Sequence, residues 1–286
     1  MNADVLSFFD APTGSWSYLV SDPASRRAAI IDPVLDFDVA AGRTGHTGAD
    51  RLLQAVRERD LDVAWVLETH AHADHLTAAA YLKAQLGAPL AVGAGICKVQ
   101  QTFARVFNLG SEFAVDGSQF DRLLRDGESL LLGNLAIRVL ATPGHTNDSV
   151  SYQIGDAVFV GDTLFLPDVG SARCDFPGGD AATLYHSVQR LYALGDATRM
   201  FVCHDYPPQG REAQCKTTVA AQRAGNIHLH DGVDLDAYVA MRTARDATLA
   251  MPRLILPSIQ VNIRAGQLPP PEDNGVSYLK LPLDVL

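Results

Sequence analysis

The chain has 286 residues, of which 47% are hydrophobic and 20% are charged, and its formal net charge is −10. This length suits one large α/β domain or two small ones, and the apolar share excludes a globally disordered chain. A nucleic-acid partner is not expected, because the acidic balance comes without a cluster of lysines and arginines.

A cytoplasmic location is the simplest prediction from the cysteines and the N-terminus. The cysteines are few and form no C-x-x-C pair, which is typical of a reducing compartment; they are Cys97, Cys174, Cys203 and Cys215. The first four residues, M-N-A-D, carry neither the basic nor the apolar region of a signal peptide. No apolar run approaches the roughly 20 residues of a membrane helix, so no membrane association is expected.

Short apolar runs and segments with helical spacing alternate along the chain, each bounded by Gly, Pro or Asp. The predicted strands cover residues 15–20, 28–31, 63–67, 135–140, 149–154, 158–160 and 200–203. The predicted helices cover residues 49–59, 77–86, 183–194 and 234–249. Strands and helices followed by strands and helices again favour two sheets faced by helices over one parallel sheet.

The tail from residue 226 differs from the rest of the chain. Residues 257–274 are Pro-rich and polar, and they predict an ordered arm that crosses the body or forms a partner surface. The run Pro269-Pro270-Pro271 suggests a contact in a homodimer.

The densest chemical signal is the segment T-H-A-H-A-D-H at residues 69–75, directly after a predicted strand. It holds four metal-competent side chains within six positions, namely His70, His72, Asp74 and His75. Imidazole nitrogens and carboxylate oxygens suit Zn²⁺, Fe²⁺ or Mn²⁺. A solvated polar loop is the alternative, and it does not account for this density.

Three more candidate ligands follow other predicted strands. His145 lies in P-G-H-T, Asp162 in G-D-T, and His204 directly after the strand at 200–203. Loops at strand ends are where α/β folds assemble their sites, so these side chains are expected to meet those of residues 70–75.

This series, in this order between residues 70 and 204, resembles the ligand series of the metallo-β-lactamase superfamily. The resemblance implies an αββα sandwich with the metal at one edge of the two sheets. We therefore predict a catalytic domain over residues 1–225 and a helical and Pro-rich extension over residues 226–286, packed on the same domain.

The spacer sequences resemble more closely the persulfide dioxygenases, also called sulfur dioxygenases. They are R-C-D-F-P-G-G-D at 173–180, H-T-N-D-S-V-S-Y at 145–152, and C-H-D-Y at 203–206. Glyoxalase II, a related hydrolase, usually has Gly-His where this chain has Asp148-Ser149. The A-R-C-D at 172–175 and the stretch from Pro257 to Gly266 are similar to a bacterial branch of the dioxygenases.

The resemblance implies one Fe(II) per chain held by His70, His145 and Asp162, a facial triad with open positions for a sulfur ligand and O₂. The implied reaction oxidises glutathione persulfide to sulfite and glutathione. The remaining four residues either orient these ligands or complete a second metal site; they are His72, Asp74, His75 and His204. The alternative is therefore a glyoxalase II-like hydrolase of thioesters or lactones with one or two Zn(II). A non-catalytic sensor or scaffold is a further rival.

Substrate contacts are harder to assign from sequence. Arg173 either binds a glutathione carboxylate or pairs with a neighbouring acid, and Tyr206 either lines the pocket or packs in the core. His228 falls where better-known relatives carry a carboxylate-binding Arg, and it is a weaker, pH-dependent donor. Lys216 and Arg223 are possible substitutes, against the alternative of a solvated helix face.

Overall fold

The structure is a computed structural model that describes residues 2–207 and 210–285. Its strands are β1 (Asp4–Asp10), β2 (Ser15–Ser21), β3 (Arg27–Ile31), β4 (Val34–Asp38), β5 (Arg43–Gly45), β6 (Asp62–Leu67), β7 (Leu76–Thr77), β8 (Leu90–Gly93), β9 (Arg122–Leu124), β10 (Ser129–Leu132), β11 (Leu135–Ala141), β12 (Val150–Ile154), β13 (Ala157–Phe159), β14 (Arg199–Phe201) and β15 (Lys216–Thr218). Its helices are α1 (Thr47–Glu58), α2 (Ala79–Leu86), α3 (Ile96–Val106), α4 (Ala181–Tyr192), α5 (Val219–Gly225), α6 (Leu235–Asp246) and α7 (Ile255–Asn262).

Two six-stranded mixed sheets form the centre of the molecule. The first has the order β1-β2-β3-β6-β8-β9 and is parallel from β3 to β9; the second has the order β10-β11-β12-β13-β14-β15, in which only β13 and β14 are parallel. A small sheet, β5-β4-β7, lies beside them. Parallel neighbours end at the same edge of a sheet, which brings the loops after β3 and β6 together.

The sheets pack face to face through alternate residues of their strands. Tyr18, Ile31 and Leu67 of the first sheet share one buried cluster with Tyr152 and Phe159 of the second. Helices α1, α2, α3 and α7 bury apolar faces against the outer side of the first sheet, and α4, α5 and α6 do so on the second. The predicted αββα sandwich is confirmed.

The predicted elements are present with ends shifted by at most three residues. The helix predicted from residue 77 begins at Ala79 instead, because Leu76 and Thr77 pair with β4 as strand β7. Helix α3 and the short strands β8, β9 and β10 are among the elements that were not predicted from the sequence. Gly87 ends α2 in the left-handed conformation, which glycine adopts without strain.

The arm predicted over residues 257–274 is wrong in its first part. Residues Ile255–Asn262 form α7, and all five residues from Ser258 to Asn262 are buried. The prediction took Pro257 as a sign of non-helical structure. Pro257 lies in the first turn of α7, where a proline interrupts no hydrogen bond of the helix. Polar residues of α7 are buried because they bind the backbone of other segments, which a one-dimensional pattern does not reveal.

Residues 267–285 do run across the body without helix or strand. The main chain of Lys280 exchanges two hydrogen bonds with the Gln260 side chain, which fixes the tail on α7. Helix α6 packs on α4, so the segment after residue 225 shares the cores of the sandwich. The domain boundary at 225 and the homodimer contact stay predictions. In the described ranges, no helix is long and apolar enough to cross a bilayer.

The packing of α7 can be tested by truncating Ile259, which is 3% exposed. We expect Ile259→Ala to lower the free energy of unfolding by about 2–5 kcal/mol, because it leaves a cavity under the helix. Leu131→Ala, at a position that is 78% exposed, is the control and should change it by less than about 0.5 kcal/mol. Urea denaturation measures both free energies. If Ile259→Ala leaves the free energy of unfolding unchanged, the residue is not buried under the helix and the predicted arm is favoured again.

Candidate metal centre

The loops after β6, β11, β13 and β14 meet at one edge of the sandwich and bring all seven predicted metal-competent residues together. They form two adjoining groups, and within each group one ligand atom per residue lies within 4.8 Å of the others. The first group is His70, His145 and Asp162; the second is His72, Asp74, His75 and His204.

The first group has the spacing of ligands around one ion. The Oδ2 atom of Asp162 lies 3.7 Å from Nε2 of His70 and 3.6 Å from Nε2 of His145. Metal–ligand bonds of about 2.0–2.2 Å place neighbouring ligand atoms roughly 3.0–3.5 Å apart, so a small contraction would close the shell.

The second group meets the first at the same carboxylate. Nε2 of His204 lies 3.3 Å from Oδ1 of Asp162 and 3.0 Å from Oδ2 of Asp74. Asp162 therefore directs one oxygen at each group, which is the arrangement of a carboxylate that can bridge two ions.

Neighbouring groups fix the proton of His70 and of His145 on the nitrogen that faces away from the centre. The Thr69 hydroxyl donates its one proton to Asp32 Oδ2 at 2.9 Å, so it accepts from Nδ1 of His70 at 3.0 Å. Nδ1 of His145 donates to the main-chain carbonyl of Arg173 at 2.8 Å. Both Nε2 atoms are left with a lone pair, which is the form that binds a metal.

His72 is held in the opposite sense. Its Nε2 faces the carboxylates of Asp32, at 3.1 Å, and Glu68, at 3.3 Å, and therefore carries the proton. Its Nδ1 is left as the free nitrogen. The two buried carboxylates thus orient His72 as a ligand.

His75 and His204 share one hydroxyl. Nδ1 of each lies 3.2 Å from Oγ of Ser15. The Thr13 hydroxyl, which also contacts the Asp10 carboxylate, lies 2.8 Å from Oγ of Ser15 and donates to it. Ser15 therefore contacts Nδ1 of both rings, and Nε2 of each ring faces the centre.

The atoms that face the centre are buried without a partner among the described residues. Six such atoms belong to the two groups: Nε2 of His70, Nδ1 of His72, Oδ1 of Asp74, Nε2 of His75, Oδ1 of Asp162 and Nε2 of His204. Unpaired buried polar atoms are costly, and a divalent cation satisfies this set of lone pairs. The residues present therefore fit a metal centre.

The electrostatics of two of the imidazoles point the same way, while the neighbouring Asp32 raises the pKa of a third, His72, against the effect of burial. Burial lowers the pKa of His70 well below its usual value and that of His204 to about 4, so both rings are neutral at pH 7. Burial and the neighbouring Asp74 raise the pKa of Asp162 well above its usual value. A bound cation removes this penalty by compensating the two carboxylates.

Asp32 and Asn262 are positioning residues that the sequence analysis did not assign. Asp32 ends β3 and accepts from the backbone N–H of Thr69 at 2.7 Å. The Asn262 amide donates to the carbonyls of His72 and His75 at 2.8 Å each. Asp32 follows a predicted strand, and this position is the signal that revealed the metal ligands. Nothing near Asn262 in the sequence indicates its role.

Gly161 of the G-D-T motif allows a close approach between loops. Its φ is +52°, and a Cβ atom there would lie 2.6 Å from Oγ1 of Thr69. Because the Thr69 hydroxyl orients His70, a side chain at position 161 would displace both Thr69 and the His70 ring.

A cavity of about 410 Å³ opens onto the centre beside Asp74, His145 and Asp162. Its walls are largely apolar and include Phe165, Phe176, Leu249 and Leu254. Tyr206 also lines it: the phenol donates to Asp74 at 3.2 Å, and its ring is stacked parallel to His204. The cavity has the size and character of a small-molecule site.

Arg173 lies in the cavity wall but is already occupied. It forms a two-point ion pair with Asp175, at 2.6 and 2.7 Å, and donates to the carbonyl of Ala250. This is the ion pair with a neighbouring acid, which was the predicted alternative to carboxylate binding.

The other three predicted substrate residues do not line the cavity. His228 is buried, and its Nδ1 accepts from the backbone N–H of Ser171 at 2.9 Å. Arg223 pairs with Asp196 and Asp231, at 3.0 Å each, and Lys216 lies at the start of edge strand β15. Their predicted substrate contacts find no support in this placement.

A family model described as the metallo-beta-lactamase superfamily matches residues 10–204. A probable metallo-hydrolase of Burkholderia pseudomallei is 53% identical over 99% of both chains. The mitochondrial persulfide dioxygenase ETHE1 of Bos taurus is 29% identical over 92% of this chain and 89% of its own. The crystal structure of ETHE1 from Myxococcus xanthus aligns with 93% of this chain and 100% of its own, with a TM-score of 0.72 and 33% identity.

The chain belongs to the metallo-β-lactamase superfamily. It is an enzyme of this superfamily, either a hydrolase or a dioxygenase. The superfamily binds divalent metals, and the His/Asp cluster described above is the metal-binding cluster of this chain.

The role of Asp32 can be tested by Asp32→Asn. Because the amide no longer fixes the protons of Thr69 and His72, we expect divalent-metal affinity to fall by roughly 10–100-fold. Competition with a chelator for Zn²⁺ measures the affinity. Asp36→Asn is the matched control, since Asp36 accepts only from the backbone N–H groups that begin α1, and it should bind Zn²⁺ like wild type. Equal affinities of the two variants would contradict the role of Asp32.

His228 should contribute to acid sensitivity. Burial and then Arg242 and Arg245 lower its pKa to about 4, whereas the unfolded side chain titrates near 6.5. The unfolded chain therefore binds the additional proton between these values, and stability present above pH 6.5 is lost as the pH falls toward 4. We expect His228→Asn to lose less free energy of unfolding than wild type between pH 7 and pH 4.5 in urea titrations. A parallel loss would contradict this.

Proposed function

We propose that this chain is a non-haem iron dioxygenase that oxidises glutathione persulfide with O₂ and water to glutathione and sulfite. The outer sulfur of the persulfide loses four electrons, which reduce one O₂. The sulfur–sulfur bond breaks, the inner sulfur leaves as glutathione, and water supplies the third oxygen of sulfite and two protons.

The likeness to ETHE1 carries this proposal. It extends over 93% of this chain at 33% identity in the M. xanthus structure, and the bovine relative is named a persulfide dioxygenase. A likeness of this extent includes the segments that form the cavity as well as those that hold the metal.

The site chemistry is compatible with the reaction. His70, His145 and Asp162 form a group of three ligands, and two of them face the cavity. A bound Fe(II) would supply the electrons that activate O₂ and open positions for a sulfur ligand. The chain itself orients the ligands, and its apolar cavity walls at Phe165 and Phe176 exclude water from the reacting sulfur.

A metal-dependent hydrolase of thioesters or lactones is the second candidate. It is favoured by the two oxygens that Asp162 directs at two ligand groups, which suits a pair of ions around a bridging carboxylate. The B. pseudomallei relative is also named a probable metallo-hydrolase.

Oxygen uptake with metal analysis distinguishes the two candidates. We expect anaerobically purified protein to hold one iron per chain and to consume one O₂ per sulfite formed from glutathione persulfide. His145→Ala should lose iron and O₂ uptake, because it removes a ligand. His186→Ala is the matched control, since this exposed histidine lies on α4 away from the cavity.

The proposal would be rejected in favour of the hydrolase by three findings together. These are two zinc ions per chain, hydrolysis of a glutathione thioester, and no O₂ uptake by the iron-loaded protein.

A further inference from the structure

Four arginines line the cavity, and two of them are neutralised within the chain. Arg173 is paired with Asp175, and the buried Arg242 is paired with Asp246, at 2.6 Å in both cases. These two ion pairs hold the cavity wall together and leave no net positive charge.

The other two cavity arginines have no acidic partner among residues 2–207 and 210–285. Arg245 lies on the last turn of α6, and Arg253 lies in the loop that leads into α7; both are exposed. The acids of this cavity, Asp74 and Asp162, belong to the metal centre. The cavity is therefore lined both by ligands of the metal centre and by two positive charges that no acid of the described chain compensates.

Arg253 also faces open space on a second side. It lines a neighbouring cavity of about 590 Å³, and the two cavities share Pro12, Thr13, Arg253 and Leu254. In that second cavity, Asp36 and Asp38 already accept from backbone N–H groups, at 2.8 and 2.9 Å. The guanidinium group of Arg253 is thus placed to meet a ligand rather than the protein.

We propose that Arg245 and Arg253 are the specificity-determining residues of this site, and that they bind the carboxylates at the end of the substrate remote from its sulfur. The proposal deepens the proposed function and rests on it for the identity of the sulfur substrate. The ligand class is an anionic low-molecular-weight thiol derivative with the length of a tripeptide. Guanidinium groups suit this task because they bind carboxylates through two parallel hydrogen bonds.

This assignment differs from the one the sequence suggested. Arg173 is occupied by Asp175, and His228 is buried and neutral, so neither supplies a free positive charge. The C-terminal segment supplies it instead, from α6 and from the loop before α7.

Kinetics of the iron-loaded full chain test the proposal. We expect Arg245→Gln and Arg253→Gln each to raise KM for glutathione persulfide roughly tenfold while kcat changes less than about twofold, because binding is lost away from the reacting sulfur. Arg253→Lys should recover part of the loss. The persulfide of 2-mercaptoethanol, which has no carboxylate, should be turned over equally by all variants. Arg57→Gln, an exposed α1 arginine outside both cavities, is the matched control.

A binding measurement separates this proposal from the proposed function. S-methylglutathione has the carboxylates but no persulfide, and calorimetry of its binding requires no turnover. We expect its Kd to rise in each variant by the same factor as the KM for glutathione persulfide. We also expect its affinity to fall when salt is added. Variant-dependent binding without any O₂ uptake would support the arginines and reject the dioxygenase. Wild-type KM and Kd in a variant that carries both Arg245→Gln and Arg253→Gln, or no binding of S-methylglutathione to the wild-type chain, would overturn the proposal.

Discussion

The metal centre depends on the hydrogen bonds that Asp32 accepts. This carboxylate binds the backbone and hydroxyl of Thr69 and the Nε2 atom of His72, and so determines which nitrogen of His70 and of His72 is left free. Asp32 has a φ of 50°, which an aspartate tolerates better than most residues. The turn it makes directs the carboxylate beneath the loop that follows β6.

The sandwich turns this local arrangement into a site. Each ligand lies just beyond the end of a strand, and the two sheets are fixed against each other by a buried apolar layer that includes Tyr152, whose hydroxyl donates to the carbonyl of Glu68. The core therefore brings His70 together with His145, Asp162 and His204. These three residues lie 75 to 134 positions after His70 in the sequence. A ligand set assembled in this way is preorganised, since burial and packing hold it before any ion binds.

The C-terminal segment is part of the site rather than an appendage. Asn262 of α7 holds the carbonyls of His72 and His75, and Arg245 and Arg253 supply the positive charge of the cavity. The chain thus takes its seven metal-competent side chains from the first 204 residues and the uncompensated positive charge of its cavity from α6 and the loop before α7.

Sequence alone determined most of the long strands and helices and the seven residues that meet at the metal centre, because spaced His and Asp residues after apolar strands constrain both chemistry and position. The αββα fold class was implied by the resemblance of this ligand series to the metallo-β-lactamase superfamily. Only the tertiary structure decided which imidazole nitrogen faces the centre, that Arg173 is occupied, and that residues 255–262 form a buried helix. These features depend on partners distant in sequence, such as Asp32 for His72 and Asn262 for the loop after β6. Local residue patterns record the propensity of a segment, but the pairing of buried polar groups is set by contacts that exist only after the chain has folded.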